Sequence, residues 1–331
     1  MDNILIEEYR DDILDNLHRG SICIVTADMK VISSVGDINK FVVMRSSAKP
    51  IQALPLLEDG IDEKYNFNSD EIAVMASSHR GEEIHIRTLE NILLKTNIKE
   101  EDLIVPPVYP LNPQETKKHL MQNNPPRKIY HNCAGKHIGF ILNCLEKGYD
   151  YKSYWQLDNP IQQEVINYIS ILASLPVENI KTCVDGCGVP AFAIPLINIA
   201  YSYFVLANSE VLNNEKLISA VKKLTSAMNA SNILVSGTNA ICSILLSDSN
   251  IIAKGGAQGV YCFGLKKEKI GVAIKTEDGT GEELPLIVSE ILKQLNYPNK
   301  KLIEKIDSIF TKEIKNDSGL VVGYKKAVFN I

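Results

Sequence analysis

The sequence predicts an α+β fold, in which both ends of the chain form an antiparallel sheet and the middle forms a helical lobe. Strand-like segments open the chain, mainly helical segments follow, and strand signals return near the end. Runs of strands separated from runs of helices are typical of α+β proteins. We expect a single domain, residues 1–331, with a sheet lobe of about 1–45 plus 235–331 and a helical lobe of about 46–234.

The first half of the chain supplies three strands and most of the helices. The predicted strands are Ile4–Tyr9, Ser21–Thr26 and Lys30–Ser34. The predicted helices are Pro50–Leu57, Ile84–Lys95, Ala134–Lys147 and Pro160–Leu175. Pro50 suits a first helical turn, where a missing N–H costs little, and Pro55 limits or kinks the same helix. The proline-rich stretch Leu103–Pro126 predicts an extended surface loop.

The second half returns to strands. The apolar stretch Val189–Asn208 approaches the length of a membrane span, but its prolines and polar residues favour a buried helix. A further amphipathic helix is predicted at Glu215–Met228. The remaining predicted elements are strands Ala240–Leu246, Ile251–Lys254, Gly259–Gly264 and Gly271–Lys275, helix Glu283–Leu295 and strand Leu320–Phe329.

Composition excludes several classes of partner. The 331 residues are 45% hydrophobic and 23% charged, with a net charge of −5, and no long basic run occurs. We therefore expect neither a nucleic-acid nor a membrane partner. Seven cysteines, an odd number, follow a start that lacks the features of a secretory signal, so a cytoplasmic protein with reduced thiols is expected.

A Ser-x-x-Lys motif, Ser46 and Lys49, is the first candidate for chemistry. Residues at i and i+3 share a helix face, and a neutral lysine amine can take the proton of a serine hydroxyl. Chance produces on the order of one such motif in a chain of this length. Ser219 and Lys222 repeat the spacing off the apolar stripe of their helix, which indicates a solvated surface. The spacing therefore does not show which copy of the motif is catalytic, and the surroundings of each copy have to decide it.

Two other motifs offer polar groups to a cleft. Ser78 follows an apolar run and either faces a cleft or caps the helix at Ile84, and the sequence favours the cap. Lys254 follows a predicted strand and precedes Gly255 and Gly256, which let the backbone approach a ligand closely. Taken by itself, that segment is better explained by an ordinary hairpin corner.

Cysteines beside histidine, lysine and aspartate suggest a metal site or a reactive thiolate. The two stretches are His131–His137 and Val184–Pro190. Spacing by itself nominates Cys133, His137 and Cys187 as zinc ligands, although the pattern is not that of a zinc finger. Two tight turns with buried thiols are the alternative.

Six motifs in order resemble the asparaginase II family of the Rhizobium etli type over almost the whole chain. They are Arg45–Gln52, Ser77–His85, His131–His137, Val184–Pro190, Lys254–Gly259 and Asp278-Gly279. The resemblance implies a serine β-lactamase-like fold, a homodimer, and hydrolysis of L-asparagine to L-aspartate and ammonia.

The resemblance also implies roles for particular residues. Ser46 and Lys49 form one catalytic pair, and Ser78 and Lys254 form a second; either serine is a possible nucleophile. The implied zinc ligands are Cys133, Lys136 and Cys187, and the implied substrate-binding residues are Arg45, Asp185 and Gly255. The chain departs from the family at Gln258, where a glutamate is usual, and this change bears on the charge of Lys254.

Three other functions compete with asparaginase activity. A glutaminase or broader amidase would use the same scaffold, because one methylene separates the two substrates. A β-lactamase or penicillin-binding hydrolase would act outside the cytoplasm. A zinc-stabilised ligand sensor would leave the two serine–lysine pairs unexplained.

Overall fold

The strands of the protein come from both ends of the chain and from one central segment. The computed structural model describes residues 3–331, so Met1 and Asp2 of the predicted domain lie outside it. The strands within this range are β1 (Asn3–Arg10), β2 (Ile13–Val25), β3 (Val31–Val35), β4 (Phe41–Val43), β5 (Lys181–Val184), β6 (Pro190–Pro195), β7 (Ile251–Gly256), β8 (Val260–Leu265), β9 (Ile270–Thr276), β10 (Glu313–Lys315) and β11 (Val321–Ala327).

The helices fill the middle of the chain and return near its end. They are α1 (Lys49–Gln52), α2 (Leu54–Glu58), α3 (Ile61–Lys64), α4 (Ser69–Met75), α5 (Glu83–Thr96), α6 (Pro113–Met121), α7 (Ala134–Lys147), α8 (Pro160–Ala173), α9 (Leu196–Ala207), α10 (Glu215–Ala230), α11 (Asn232–Ser236), α12 (Ile241–Leu246), α13 (Leu284–Gln294) and α14 (Lys300–Ile309).

The large sheet joins the two ends of the chain. Its strand order is β10-β11-β1-β2-β9-β8-β7, with β3 also paired to β2, and every pairing is antiparallel. A smaller sheet, β4-β6-β5, lies within the central segment. The predicted α+β class, with an antiparallel sheet formed by both ends and helices between, is confirmed; the division into two lobes stays a prediction.

Side chains that alternate between the two faces of the central strands contribute to two hydrophobic cores. In β2, Cys23 and Val25 pack into the core of the central helices, whereas Ile22 and Ile24 pack against the other face. Successive side chains of a strand point to opposite faces of the sheet, and helices cover both faces. The core on that other face includes residues of α12, α13 and α14.

Four predicted elements differ from the structure in type or extent. Ala240–Leu246 is not a strand, since Ile241–Leu246 forms helix α12. The prediction failed because a short continuous apolar run has no period that distinguishes a buried helix from a strand. Val189–Asn208 splits into strand β6 and helix α9 at Pro195.

The region 103–126 is not all loop, since α6 begins at Pro113. The Asn112 side chain caps that helix by accepting from the Gln114 N–H, so the proline there starts a helix. Pro55 interrupts the predicted helix 50–57, which divides into α1 and α2.

No helix among residues 3–331 is long and apolar enough to cross a membrane.

The fold brings the edge strand β7 against the segment that contains Ser46. A side chain at Gly256 would put its Cβ 2.7 Å from the Met44 carbonyl oxygen, so only glycine permits this approach. Lys254, two residues along from Ile252, points to the same face of the sheet, toward the core of the central helices. This contact between strand and turn builds the site described next.

Candidate active site

Ser46 lies in a 3-10 turn, Arg45–Ala48, that runs directly into α1. The turn is held from two sides: the Met44 N–H donates to the Phe192 carbonyl at 2.8 Å, and the Tyr203 hydroxyl donates to the Ser47 carbonyl at 2.7 Å. Arg45 has a φ of 51°, in the left-handed region that non-glycine residues rarely adopt. Strained backbone of this kind is concentrated at functional sites.

Lys49 is one of the largest fully buried side chains, with 1% of its surface exposed. Its Nζ contacts three oxygens: the Ser77 carbonyl at 2.5 Å, Ser78 Oγ at 3.0 Å and the Asn132 carbonyl at 3.2 Å. Three acceptors match the three donors of an ammonium group. Burial lowers the pKa of Lys49, and the positive charge of Lys136 lowers it further.

Lys254 reaches the same serine from the sheet. Its Nζ lies 2.9 Å from Ser78 Oγ and 2.8 Å from the Gly255 carbonyl oxygen. Burial, with the positive charge of Lys49 as a further cause, lowers the pKa of Lys254 to about 8. With only two hydrogen-bond partners and this pKa, Lys254 is the lysine better suited to be neutral near pH 8.

Ser78 connects the two lysines. Its backbone N–H donates to the Val235 carbonyl at 2.9 Å, which docks the loop on α11. The helix-cap interpretation of Ser78 is wrong, because α5 begins at Glu83 and its N-cap residue is Glu82. The hydroxyl has one proton, so it can donate to one amine while it accepts from the other. The arrangement is a continuous chain from Lys49 Nζ through Ser78 Oγ to Lys254 Nζ.

Ser46 is half-buried and lies at the start of this site. Among the hydrogen bonds of residues 3–331, none involves Ser46 Oγ, and Lys49 contacts Ser78 instead. The spacing of three residues therefore brings Ser46 and Lys49 onto one turn without a direct hydrogen bond between their side chains. Its hydroxyl remains available to a substrate.

An ion pair adjoins Ser46. Arg45 Nε lies 2.9 Å from Asp185 Oδ1, which also accepts from the Gly186 N–H at 2.8 Å. Beside it lies a cavity of about 390 Å³, whose lining includes Arg45, Gly186, Gln258 and Lys275. Guanidinium and carboxylate side by side can bind the carboxylate and ammonium of an amino acid.

Gly255 and Gln258 occupy the turn beyond Lys254. The Gly255 N–H donates to Cys242 Sγ at 3.1 Å, and its carbonyl accepts from Lys254. Gln258 adopts a φ of 59°, and its carbonyl accepts from Lys275 Nζ at 2.8 Å. Among the described contacts, the Gln258 side chain does not reach Lys254, so any effect of this position on Lys254 is indirect.

The cysteine motifs meet on the helical side of the site. Lys136 Nζ lies 3.2 Å from Cys187 Sγ, and Cys187 hydrogen-bonds Cys133. That hydrogen bond, with the charge of Lys49, lowers the pKa of Cys133 well below its usual value and raises that of Cys187. Burial lowers the pKa of Lys136, but electrostatic attraction to Cys133, Cys187 and Asp185 outweighs burial and raises it.

Two buried sulfurs and one amine nitrogen converge, a donor set that fits zinc once metal binding releases the proton of Lys136. His137, which spacing nominated, faces elsewhere: its Nδ1 hydrogen-bonds the Tyr154 hydroxyl at 2.7 Å. Lys136 therefore replaces His137 as the third group beside the two cysteines. Helix α7 starts at Ala134, so a one-residue difference rotates the side chain by a large angle about the helix axis.

Sequence reasoning missed three residues that position the site. The Asn132 carbonyl binds Lys49, and Tyr203 supports the Ser47 carbonyl. Glu82 holds the Ser78 loop by accepting hydrogen bonds from the Thr238 N–H and hydroxyl. Only Glu82, close to Ser78 in sequence, gave any local signal, because the other contacts depend on tertiary structure.

The class of protein follows from a family comparison. Residues 6–327 match the family described as L-asparaginase II, which is a family of amidohydrolases. The chain belongs to the L-asparaginase II family, as its motifs had indicated. A search of curated protein sequences finds no significant match.

Solved structures similar to the chain share little of its sequence. A β-lactamase from Mycobacterium bovis is 12% identical, with a TM-score of 0.44, and the match covers 83% of this chain and 94% of that one. A Bacillus glutaminase is 13% identical, with a TM-score of 0.39, and the match covers 84% of this chain and 91% of that one.

Proposed function

We propose that the protein is an L-asparaginase that hydrolyses L-asparagine to L-aspartate and ammonia through a serine nucleophile activated by lysine. The observation that best supports this function is Ser78 Oγ, bound between the buried amines of Lys49 and Lys254. Amide hydrolysis needs a nucleophile, a base and a proton donor for the leaving amine. Membership of the L-asparaginase II family makes an amide the natural substrate.

We assign the attack to Ser46 and the proton relay to Ser78. A relay must contact both amines, as Ser78 does, whereas a nucleophile must be free to approach the substrate carbonyl. Lys49 first gives a proton to Ser78, which passes its own proton to neutral Lys254. The Lys49 amine, now neutral, takes the proton of Ser46 Oγ as that oxygen attacks. The reverse path returns the proton to the departing ammonia.

The amino-acid end of the substrate is assigned to the ion pair beside Ser46. Arg45 uses only its Nε toward Asp185, so its terminal nitrogens can bind the α-carboxylate, while Asp185 binds the α-ammonium. Gly255 offers a backbone without a side chain beside Lys254. Asparagine and glutamine differ by one methylene, so these contacts serve both substrates.

Zinc would be held by Cys133, Lys136 and Cys187. A bound zinc ion can polarise or orient a substrate oxygen. The chain's own contribution is to keep two sulfurs and an amine together beside Lys49. Elemental analysis of Cys133→Ser against the wild type tests the assignment, and equal zinc in both proteins would remove Cys133 from the site.

One assay separates asparaginase activity from its alternatives. Ammonia release is measured with asparagine and glutamine, and hydrolysis with a chromogenic cephalosporin, each with and without chelator. We expect ammonia release to be faster from asparagine than from glutamine. Turnover of glutamine at an equal rate would indicate a broader amidase, cephalosporin turnover a β-lactamase, and silence on all three a ligand sensor.

A trapping experiment assigns the two serines. Asparagine is mixed with wild-type protein, Ser46→Ala and Ser78→Ala, and the quenched proteins are measured by intact mass. We expect a covalent acyl adduct on the wild type and on Ser78→Ala, with slow turnover, and none on Ser46→Ala. An adduct confined to Ser46→Ala would reverse the assignment.

Two expectations concern the setting of the protein. The homodimer follows only from the family resemblance and is tested by sedimentation equilibrium. A cytoplasmic location stays a prediction, with which the seven unpaired cysteines are compatible. A single species at the monomer mass would contradict the first expectation.

A further inference from the structure

A second polar cluster lies where the two ends of the chain meet, in the large sheet. We name it the terminal-strand cluster and define it as Glu8, His18, Asp278, Glu283 and Lys325. Glu8 on β1 lies directly opposite Lys325 on β11, and His18 lies on the neighbouring β2. Asp278 follows β9, and Glu283 immediately precedes α13. The cluster includes none of the residues assigned to asparagine hydrolysis.

Three ligand-type groups of this cluster converge. One carboxylate oxygen each of Glu8 and Glu283 and one ring nitrogen of His18 all lie within 4.8 Å of one another. His18 and Glu283 are buried, and Glu8 is half-buried. Within residues 3–331 this is the single such grouping of three histidine, cysteine or carboxylate side chains. Two carboxylates and an imidazole suit a divalent transition metal.

The hydrogen bonds of His18 leave one nitrogen directed at negative charge. His18 Nδ1 lies 2.6 Å from Asp278 Oδ2, so Nδ1 carries the proton and donates it. In a neutral ring, Nε2 then carries a lone pair, which accepts from Asn16 Nδ2 at 3.3 Å and lies 3.5 Å from Glu8 Oε1, so a bound ion would displace the Asn16 amide. A histidine that binds a metal through one nitrogen typically donates its other N–H to a carboxylate, as His18 does to Asp278.

Glu283 supplies an independent observation. This residue is only 2% exposed, and its Oε2 is buried without any hydrogen-bond partner. Its other oxygen, Oε1, accepts from Lys325 Nζ at 2.5 Å. A buried carboxylate oxygen without a partner is costly, and a cation would relieve that cost. Three carboxylates against one ammonium leave the cluster two negative charges when His18 is neutral.

We propose that Glu8, His18 and Glu283 bind a divalent transition-metal ion that ties the terminal strands to the start of α13. Lys325 contacts both glutamates, at 3.3 Å for Glu8, and therefore competes with the ion. Its side chain is partly exposed and can turn toward solvent when the ion binds. The site contains no sulfur, so it differs in ligand chemistry from the cysteine site.

Manganese separates the two sites, because carboxylate and imidazole ligands suit Mn²⁺ whereas thiolates favour zinc. The full chain is titrated with Mn²⁺, bound ion is counted from the loss of the free-ion electron paramagnetic resonance signal, and thermal unfolding is followed in parallel. We expect one Mn²⁺ per chain and a rise in Tm. Absence of binding at millimolar Mn²⁺ would overturn the proposal.

Variants locate the ion. His18→Gln and Glu283→Gln remove direct ligands, so each should weaken Mn²⁺ binding by more than the roughly 10- to 100-fold typical of losing an outer-shell partner, and should remove the rise in Tm. His119→Gln on α6, whose ring hydrogen-bonds Asn124, is the matched control and should bind like the wild type. Wild-type affinity in both cluster variants would place the ion elsewhere and refute the site.

A third variant keeps the test decisive if the buried variants fold poorly. Lys325→Gln removes the competing ammonium, so it should bind Mn²⁺ more tightly than the wild type and regain with Mn²⁺ the Tm that it loses without it. Weaker binding, or no recovery of Tm, would show that Lys325 is itself the only cation of the cluster.

Discussion

Two regions of this protein have the same Ser-x-x-Lys spacing and opposite environments. Ser46 and Lys49 lie on a turn between the sheet and the central helices, and Lys49 is 1% exposed. Ser219 and Lys222 lie on the outer face of α10, where the Lys222 side chain is 56% exposed and contacts Glu210 at 2.9 Å. Burial and nearby positive charge can lower the pKa of a lysine enough to make it a base, whereas water keeps an exposed ammonium charged.

The largest effect should come from the two serines. Ser46→Ala removes the proposed nucleophile, and we expect asparagine turnover to fall by about 10⁴-fold or more with the fold intact. Ser219→Ala is the matched control and should keep full activity. Ammonia release and circular dichroism measure both outcomes. Persistent activity in Ser46→Ala would exclude Ser46 as the nucleophile.

The second-largest effect should come from the two lysines, whose replacement should change kcat by different amounts. Lys49→Met breaks the path to Ser78 and should reduce kcat by about 10²- to 10⁴-fold, the usual range for a general base. Lys222→Met should leave kcat unchanged. Steady-state kinetics on asparagine check this pair. Equal kinetics for the two variants would mean that burial of Lys49 serves packing rather than catalysis.

The pH dependence should follow Lys254. Its pKa is lowered to about 8 by burial, so its neutral form, the proton acceptor of the relay, grows as pH rises through 8. We expect kcat/KM to increase about tenfold per pH unit well below 8 and to level off above it. Lys254→Arg, which cannot lose its proton, should be inactive throughout. A flat profile from pH 6 to 9 would contradict the relay.

A smaller effect should come from the support of the Ser46 turn. Tyr203→Phe leaves the buried Ser47 carbonyl without its donor and should lower the free energy of unfolding by about 1–3 kcal/mol. Tyr201→Phe, on the same helix, is the control, because no hydrogen bond of the Tyr201 hydroxyl occurs among the described residues. Urea denaturation compares the two, and equal midpoints would assign no supporting role to Tyr203.

The smallest effect should be seen on the surface of α10. Lys222→Met removes the exposed ion pair with Glu210, and the free energy of unfolding should change by less than about 0.5 kcal/mol. Thermal unfolding at low and high salt measures it. A large loss of stability would mean that this helix face is covered in solution.

Elements with a clear period were predictable, and short apolar runs were not. Helix α7 begins and ends where the sequence placed it, at Ala134 and Lys147. Strand β2 extends further toward the N-terminus than predicted, to Ile13, because its first half pairs with β1 across exposed positions that lack an apolar pattern. Helix α12 was taken for a strand, since all of its faces pack into protein.

The order of the motifs was enough to identify the family, because six short patterns in sequence constrain a chain far more than one. The same sequence named Lys49, Ser78 and Lys254 as candidates, but it could not say that one hydroxyl joins both amines. Local spacing favoured His137 over Lys136, and only the orientation of α7 against Cys187 places Lys136 there.

The fold class, the family and the residue types of the site follow from hydrophobic periodicity and from the order of the motifs, both of which depend only on the sequence. The tertiary structure decided which of two Ser-x-x-Lys motifs is buried, which serine lies between the lysines, and that Glu8, His18 and Glu283 meet. Those facts depend on contacts between residues far apart in sequence, where distance and burial set the pKa of each group.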